Sequence, residues 1–172
     1  FRAAPYHAGL EGDRAATQDR FINDQVPIVV ATVAFGMGID KPDVRLVAHY
    51  DLPSSIEQYY QETGRAGRDG LPADCVLFYS PGDRVQQEYF IGKMESETER
   101  QGARSRLDAM VAYAGLFTCR RARLLGYFGE MSDQEGCGAC DVCEPADVAS
   151  FDGTVIAQKI LAAVIRTGER FG

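Results

Sequence analysis

Four of the five cysteines in this 172-residue chain, Cys119, Cys137, Cys140 and Cys143, follow the spacing C-x17-C-x2-C-x2-C. Two-residue gaps let neighbouring thiolates converge on one tetrahedral ion, and zinc favours four sulfurs in closed structural sites. From Met131 to Pro145 the chain is poor in large apolar residues and rich in Gly and Cys, so this stretch cannot build a core of its own. Gly136, Gly138 and Ala139 leave room for the backbone to fold round a metal. A disulfide framework is disfavoured, because the cysteine count is odd, no signal peptide is visible, and C-x2-C-x2-C offers no sensible pairing. An iron–sulfur cluster is the competing metal, and free or redox thiols are the alternative without one. The four sulfurs make a closed set, so the site reads as structural. The fifth cysteine, Cys75, falls inside an expected strand and reads as an inert core thiol.

The rest of the chain has the pattern of an α/β protein. Hydrophobic residues make up 45% and charged residues 25%, which excludes disorder and a fibrous chain. No run of about 18 apolar residues occurs, so no segment is expected to span a membrane. Phe1-Arg2-Ala3-Ala4-Pro5 lacks both a Met and the apolar core of a signal peptide, so the chain reads as intracellular and as entering a fold midway.

Glu11 to Phe21 predicts a helix. Pro27 to Ala31 is short, apolar and β-branched, the mark of a strand buried on both faces. Val44 to Tyr50 and Ala73 to Tyr79 predict two more strands. Ser54 and Glu57 have capping-box spacing and open a helix between them. Ser80-Pro81-Gly82-Asp83 ends the third strand. Strands alternating with helices predict a parallel sheet covered on both sides, closing near residue 82. Asp83 to Glu130 predicts two or three helices, with breaks at Gly102 and over 115–118. Thr154 to Thr167 carries Val155, Ile156, Ile160, Leu161, Val164 and Ile165 at helical spacing, and opens a further unit.

Two segments carry other chemistry. Gln61-Glu62-Thr63-Gly64-Arg65-Ala66-Gly67-Arg68-Asp69-Gly70 sets two arginines three apart, so that both guanidinium groups can face one anion. A planar guanidinium donates two parallel hydrogen bonds to a phosphate, and phosphoryl transfer commonly uses such an arginine against charge on the γ-phosphate. A solvated basic turn is the plain alternative. Ala31-Thr32-Val33-Ala34-Phe35-Gly36-Met37-Gly38-Ile39-Asp40-Lys41 follows the carboxyl end of a strand, where open α/β sheets bind ligands.

Together with Tyr6-His7-Ala8-Gly9-Leu10 and His49-Tyr50-Asp51-Leu52-Pro53, and with the four cysteines downstream, these segments resemble the RecQ family of superfamily 2 DNA helicases. Their order carries the resemblance, and no single motif would. It implies an α/β fold: a second RecA-like lobe over 1–82, a helical hairpin and zinc-binding subdomain over 83–147, and the first helix of a winged-helix domain over 148–172.

The resemblance also implies roles. Arg65 and Arg68 would reach across an interlobe cleft to ATP held by the first lobe, with Gln61 coupling nucleotide state to closure. Gly38 and Asp40 would line the cleft on the cofactor side. Thr32 and His7 would lie near the DNA, although His7 reads equally well as a structural loop histidine. His49 reads as a satisfied core histidine rather than a ligand or base. The implied enzyme uses ATP and magnesium, moves 3′ to 5′ on single-stranded DNA, and acts on branched DNA in recombination and repair. Its place would be the bacterial cytoplasm, at the nucleoid, or a eukaryotic nucleus. The implied partner is the first RecA-like lobe of the same polypeptide.

These 172 residues contain no G-x-x-x-x-G-K-[ST] loop and no acidic magnesium-binding box, so the chain alone is expected not to hydrolyse ATP. The alternative reading is a non-catalytic zinc-stabilised module that binds nucleic acid or protein, for which an arginine pair has no evident use. The net charge of −7 argues against a histone-like nucleic-acid binder. Between Arg100 and Gly129, however, six arginines face one acid, Asp108. Arg104 and Arg106 are thereby candidates to track DNA phosphates, whereas Arg120, Arg121 and Arg123 flank the first cysteine and would offset the negative zinc–thiolate centre.

Overall fold

The computed structural model describes residues 2–10, 14–32, 35, 40–130 and 136–144, together with 154, 155, 158, 159, 162 and 166. The chain divides into two compact units, Phe1–Leu116 and Phe117–Gly172.

In the first unit, strand β1 (Ala3–Tyr6) leads through helix α1 (Arg14–Ile22) to β2 (Ile28–Ala31). Strand β3 (Leu46–His49) leads through α2 (Ile56–Thr63) to β4 (Asp74–Leu77). Each is a strand–helix–strand unit with parallel pairing, in register Ala3↔Ile28 to Tyr6↔Ala31 and Leu46↔Asp74 to His49↔Leu77. The α/β class with parallel strands expected from the alternating pattern is therefore present. The strands are shorter than their apolar runs, and the expectation that β2 is buried on both faces is not met: Val30 is 66% exposed. A strand is buried on both faces only where layers cover both, and α1 packs on just one two-stranded sheet. Residues 11–13 of the first expected helix lie outside the described residues.

The core forms where α2 and α3 (Pro81–Gly92) meet α4 (Glu97–Ala114). Ala103, Leu107, Met110 and Tyr113 recur every three or four residues, form one stripe along α4 and are buried. Ile56 and Tyr59 of α2 and Ile91 of α3 are buried too, and the Tyr59 and Tyr113 rings lie 5.4 Å apart. Gln87 of α3 donates to the Leu52 carbonyl at 2.8 Å, tying the helices to the chain between β3 and α2.

Several boundaries differ from the sequence reading for local reasons. Ser55, not Ser54, caps α2 and accepts from the Gln58 amide, while Gln58 Oε1 accepts from Ser54. Ser80 does more than end a strand: with Asp83 it forms the capping box that starts α3 at Pro81. Gly102 is not a break but an interior residue of α4, because the flanking stripe holds the helix through it. The break comes earlier, between Gly92 and Ser96, where Ser96 caps α4. The break expected over 115–118 is present.

The second unit contains helix α5 (Arg120–Tyr127) and the cysteine loop. Of the helix expected over 154–167, the six described residues are helical. The remainder of 148–172, expected to open a winged-helix domain, lies outside the described residues.

Leu107 is the natural probe of this core. Leu107→Ala should lower unfolding stability by about 2–5 kcal/mol, whereas the neighbouring exposed Arg106→Ala should stay within about 0.5 kcal/mol. Urea denaturation followed by circular dichroism checks this, and equal midpoints would show that the stripe is not the core.

Candidate functional site

The arginine segment begins where α2 ends. The Gly64 amide donates to Tyr60 O at 2.9 Å, and the Arg65 amide to Glu62 O at 3.3 Å. The chain then reverses at Gly67, whose φ is +61°. A Cβ there would lie 2.8 Å from the Leu71 carbonyl oxygen, so glycine is required by both conformation and space. The Gly67 amide donates to Val44 O at 3.0 Å and the Asp69 amide to Pro42 O at 3.1 Å, which pins the segment to the entry of β3. Arg45 pairs with Asp69 and donates to Pro72 O, closing the same turn.

This anchoring brings Arg68 to Asp40, with Nη1 at 2.9 Å from Oδ1, while Arg68 Nε donates to Gly64 O. Two motifs 28 residues apart are thus joined. Arg65 is half-buried, and no side chain hydrogen-bonds its guanidinium among the described residues. Burial and the Arg68 charge pull its pKa down from the ordinary arginine range, while Glu62 opposes them. Gln61 lies exposed on α2.

Described residues on either side of 36–39 are firmly held. Phe35 packs its ring against Tyr6 at 4.7 Å and Phe21 at 5.7 Å. Lys41 is buried between Asp24 at 2.6 Å and Asp43 at 3.0 Å. The hydrogen bond to Asp24 is the main cause of its raised pKa. Gly38 lies outside the described residues. His7 and Thr32 directly follow β1 and β2, so the parallel register sets them at one sheet edge, where the Thr32 amide donates to Tyr6 O.

His49 ends β3 with its side chain 9% exposed, and its Nε2 is 2.6 Å from Glu62 Oε2. The expectation of a satisfied core histidine is not met, because its buried Nδ1 has no hydrogen-bond partner among the described residues. Cys75 is not in a core: its residue is exposed on β4, with Sγ 3.8 Å from Thr63 O. Partial burial and the neighbouring Asp74 push its thiol pKa up.

In the second unit the sulfurs of Cys119, Cys137, Cys140 and Cys143 all lie within 4.8 Å of one another. Cys119 caps α5, its Sγ accepting from the Ala122 amide. Gly138, at φ +58°, turns the chain between Cys137 and Cys140. Gly136 lets the backbone pass Cys143, since a Cβ there would sit 3.2 Å from its sulfur. Partial burial pushes the Cys140 thiol up, but amides of Arg120, Cys143 and Val142 outweigh it and bring the pKa to about 6. The Cys137 amide favours the Cys143 thiolate, yet the neighbouring Cys140 and Cys119 sulfurs raise its pKa to about 11. Four thiolates this close need a cation between them.

Cys137 and Cys143 Sγ are 4.0 Å apart, against about 3.8 Å for the edge of a tetrahedron with zinc–sulfur bonds of about 2.3 Å. The donor set and its spacing fit one zinc ion. Arg120 grips Asp141 of the loop with both carboxylate oxygens, one at 2.8 Å.

A family model described as RecQ zinc-binding matches residues 81–144, and one described as helicase conserved C-terminal domain matches residues 1–70. The ATP-dependent DNA helicase RecQ of Haemophilus influenzae is 49% identical over 172 residues, covering 99% of this chain and 27% of that protein. RecQ of Bacillus subtilis is 45% identical, covering 99% of this chain and 29% of that protein. The chain belongs to the RecQ family. It spans a little over a quarter of the curated RecQ relatives it matches. The C-terminal domain of the DEAD-box protein Dbp5 is also similar, at TM-score 0.42 and 23% identity, over 60% of this chain and 68% of that one.

Of the candidate site residues read from sequence, the structure unites the four cysteines, joins Arg68 to Asp40, and sets His7 and Thr32 at the ends of paired strands. It also changes the basic segment. Arg100 pairs with Glu97, Arg104 with Glu88 and Arg120 with Asp141, acids that lie outside the 100–129 window. Sequence reasoning missed the buried Lys41 clamp and the His49–Glu62 pair, because neither has a period or a spacing that marks it.

Removing the metal should test the cysteine centre. Purified chain should carry one zinc, and Cys140→Ser should lose it and expose residues 119–144 to protease, because metal ligation replaces a core there. A zinc-free parent, or a variant as protease-resistant as the parent, would remove the assignment.

Proposed function

We propose that this chain supplies the second motor lobe and zinc module of an ATP-dependent DNA helicase moving 3′ to 5′ on single-stranded DNA. Its partner is a first RecA-like lobe holding ATP and magnesium, and its substrates are single-stranded and branched DNA in recombination and repair. The work site is wherever chromosomal DNA lies, at a nucleoid or in a nucleus. The curated relatives' names, which call those proteins ATP-dependent DNA helicases, support this reading.

The observation that carries it is the arginine pair. A half-buried guanidinium with a like charge three residues away is only partly offset by Glu62, so a further anion would stabilise it. An ATP γ-phosphate presented by another lobe is such an anion, and charge on it grows as the bond to the leaving group breaks. Arg65 and Arg68 are therefore assigned the transition-state role, with Asp40 steering Arg68, and Gly38 and Gln61 lining the same cleft. His7 and Thr32 are assigned to the DNA side, at the carboxyl ends of their strands.

In the full-length enzyme Arg68→Ala should lower ATP turnover by about a thousandfold or more, with single-stranded DNA affinity nearly unchanged. Normal turnover with weakened DNA binding would reverse the roles.

Arg106 has no ion pair among the described residues, unlike Arg104, and is the better candidate for a phosphate contact. Arg106→Ala should weaken DNA binding for all sequences alike and reduce the salt slope by about one. An unchanged slope in a titration against salt would remove α4 from the DNA path.

A further inference from the structure

We propose that His49 is a positioning residue for Arg65, acting through Glu62. This inference rests on the reading of Arg65 as a group that faces ATP.

The geometry runs from the sheet to the arginine in three steps. His49 ends β3 with a side chain 9% exposed, its ring 5.2 Å from that of Tyr59. An ionised carboxylate can only accept hydrogen bonds, so at 2.6 Å it is Nε2 that donates to Glu62 Oε2. The other carboxylate oxygen accepts from Gln58 Nε2 at 3.1 Å, and Gln58 is itself fixed by Ser54 Oγ at 2.8 Å. Glu62 is thus held on both oxygens. Its backbone carbonyl then accepts the Arg65 amide, directly past the C-cap Gly64.

Packing alone does not explain a histidine here. Among the described residues Nδ1 is buried without a partner, which is unfavourable, and an apolar ring would fill the same space against Tyr59 without that penalty. Among the described residues the one hydrogen bond the imidazole makes is to Glu62. Glu62, in turn, is the acid whose charge opposes both the burial of Arg65 and the repulsion from Arg68. A carboxylate anchored by a histidine and an amide, rather than by another guanidinium, keeps its charge available to Arg65. The pair therefore fixes where α2 ends and keeps Arg65 tolerable there before nucleotide arrives.

The test is a double-mutant cycle in the full-length enzyme, reading ATP turnover at saturating single-stranded DNA. His49→Leu should lower kcat about ten- to a hundredfold, the scale of a small misplacement, while KM for ATP and DNA affinity change less than about twofold. His49→Gln, which restores a donor, should recover most of the loss. In an Arg65→Ala background His49→Leu should have little further effect, because both changes act on one group. If His49→Leu does not fold, Glu62→Gln replaces it in the same cycle. A loss of the same size in both backgrounds, or normal kcat for His49→Leu, overturns the inference. Normal turnover by Arg65→Ala alone is a separate result: it overturns the underlying reading, and this inference with it.

Discussion

The site in the first unit depends on one close approach of backbone to backbone. At Gly67 the chain passes so near the Leu71 carbonyl that no side chain fits. That reversal lets the Gly67 and Asp69 amides reach Val44 and Pro42, and it sets the Arg45–Asp69 pair. The Asp74 amide then meets Arg45 O at 2.9 Å, immediately ahead of the β3–β4 pairing. Arg68 reaches Asp40 because of the same turn. One glycine and two backbone hydrogen bonds therefore decide where a charged pair can act, and the arginines follow the backbone.

Charge is handled differently in the two units. In the first, two charges are matched individually: Lys41 by two aspartates, Glu62 by His49 and Gln58. Each match fixes a segment that lacks regular structure or ends an element. In the second, four sulfurs converge where apolar residues are scarce. Their mutual repulsion opposes the arrangement until a cation joins it, so metal and fold are one equilibrium there. Arg120 steadies the loop through Asp141 rather than through the sulfurs alone.

The basic segment shows how a one-dimensional charge count misleads. Counted along 100–129 it is strongly positive, yet Glu88, Glu97 and Asp141 come from outside that window to neutralise half of its arginines. Helix geometry brings Glu97 to Arg100, and packing of α3 on α4 brings Glu88 to Arg104. What remains for an external phosphate is narrower than the count implies, and Arg106 belongs to it.

Some of this was determined by the sequence alone. The cysteine spacing specified the metal set, because two-residue gaps leave thiolates few other ways to meet. The alternation of apolar β-branched runs with capped helices specified parallel strand–helix–strand units, because local periodicity and capping are short-range chemistry. The order of motifs identified the RecQ family. Tertiary structure decided the rest. Whether Gly102 breaks a helix depended on the stripe buried beneath α4, and which serine caps α2 depended on how Gln58 folds back. The exposure of β2 depended on how many layers cover its sheet. The Lys41–Asp24 pair, the Arg68–Asp40 contact and the His49–Glu62 pair join residues 13 to 28 positions apart. No local pattern encodes such pairs, because their energy exists only once the backbone has brought them together.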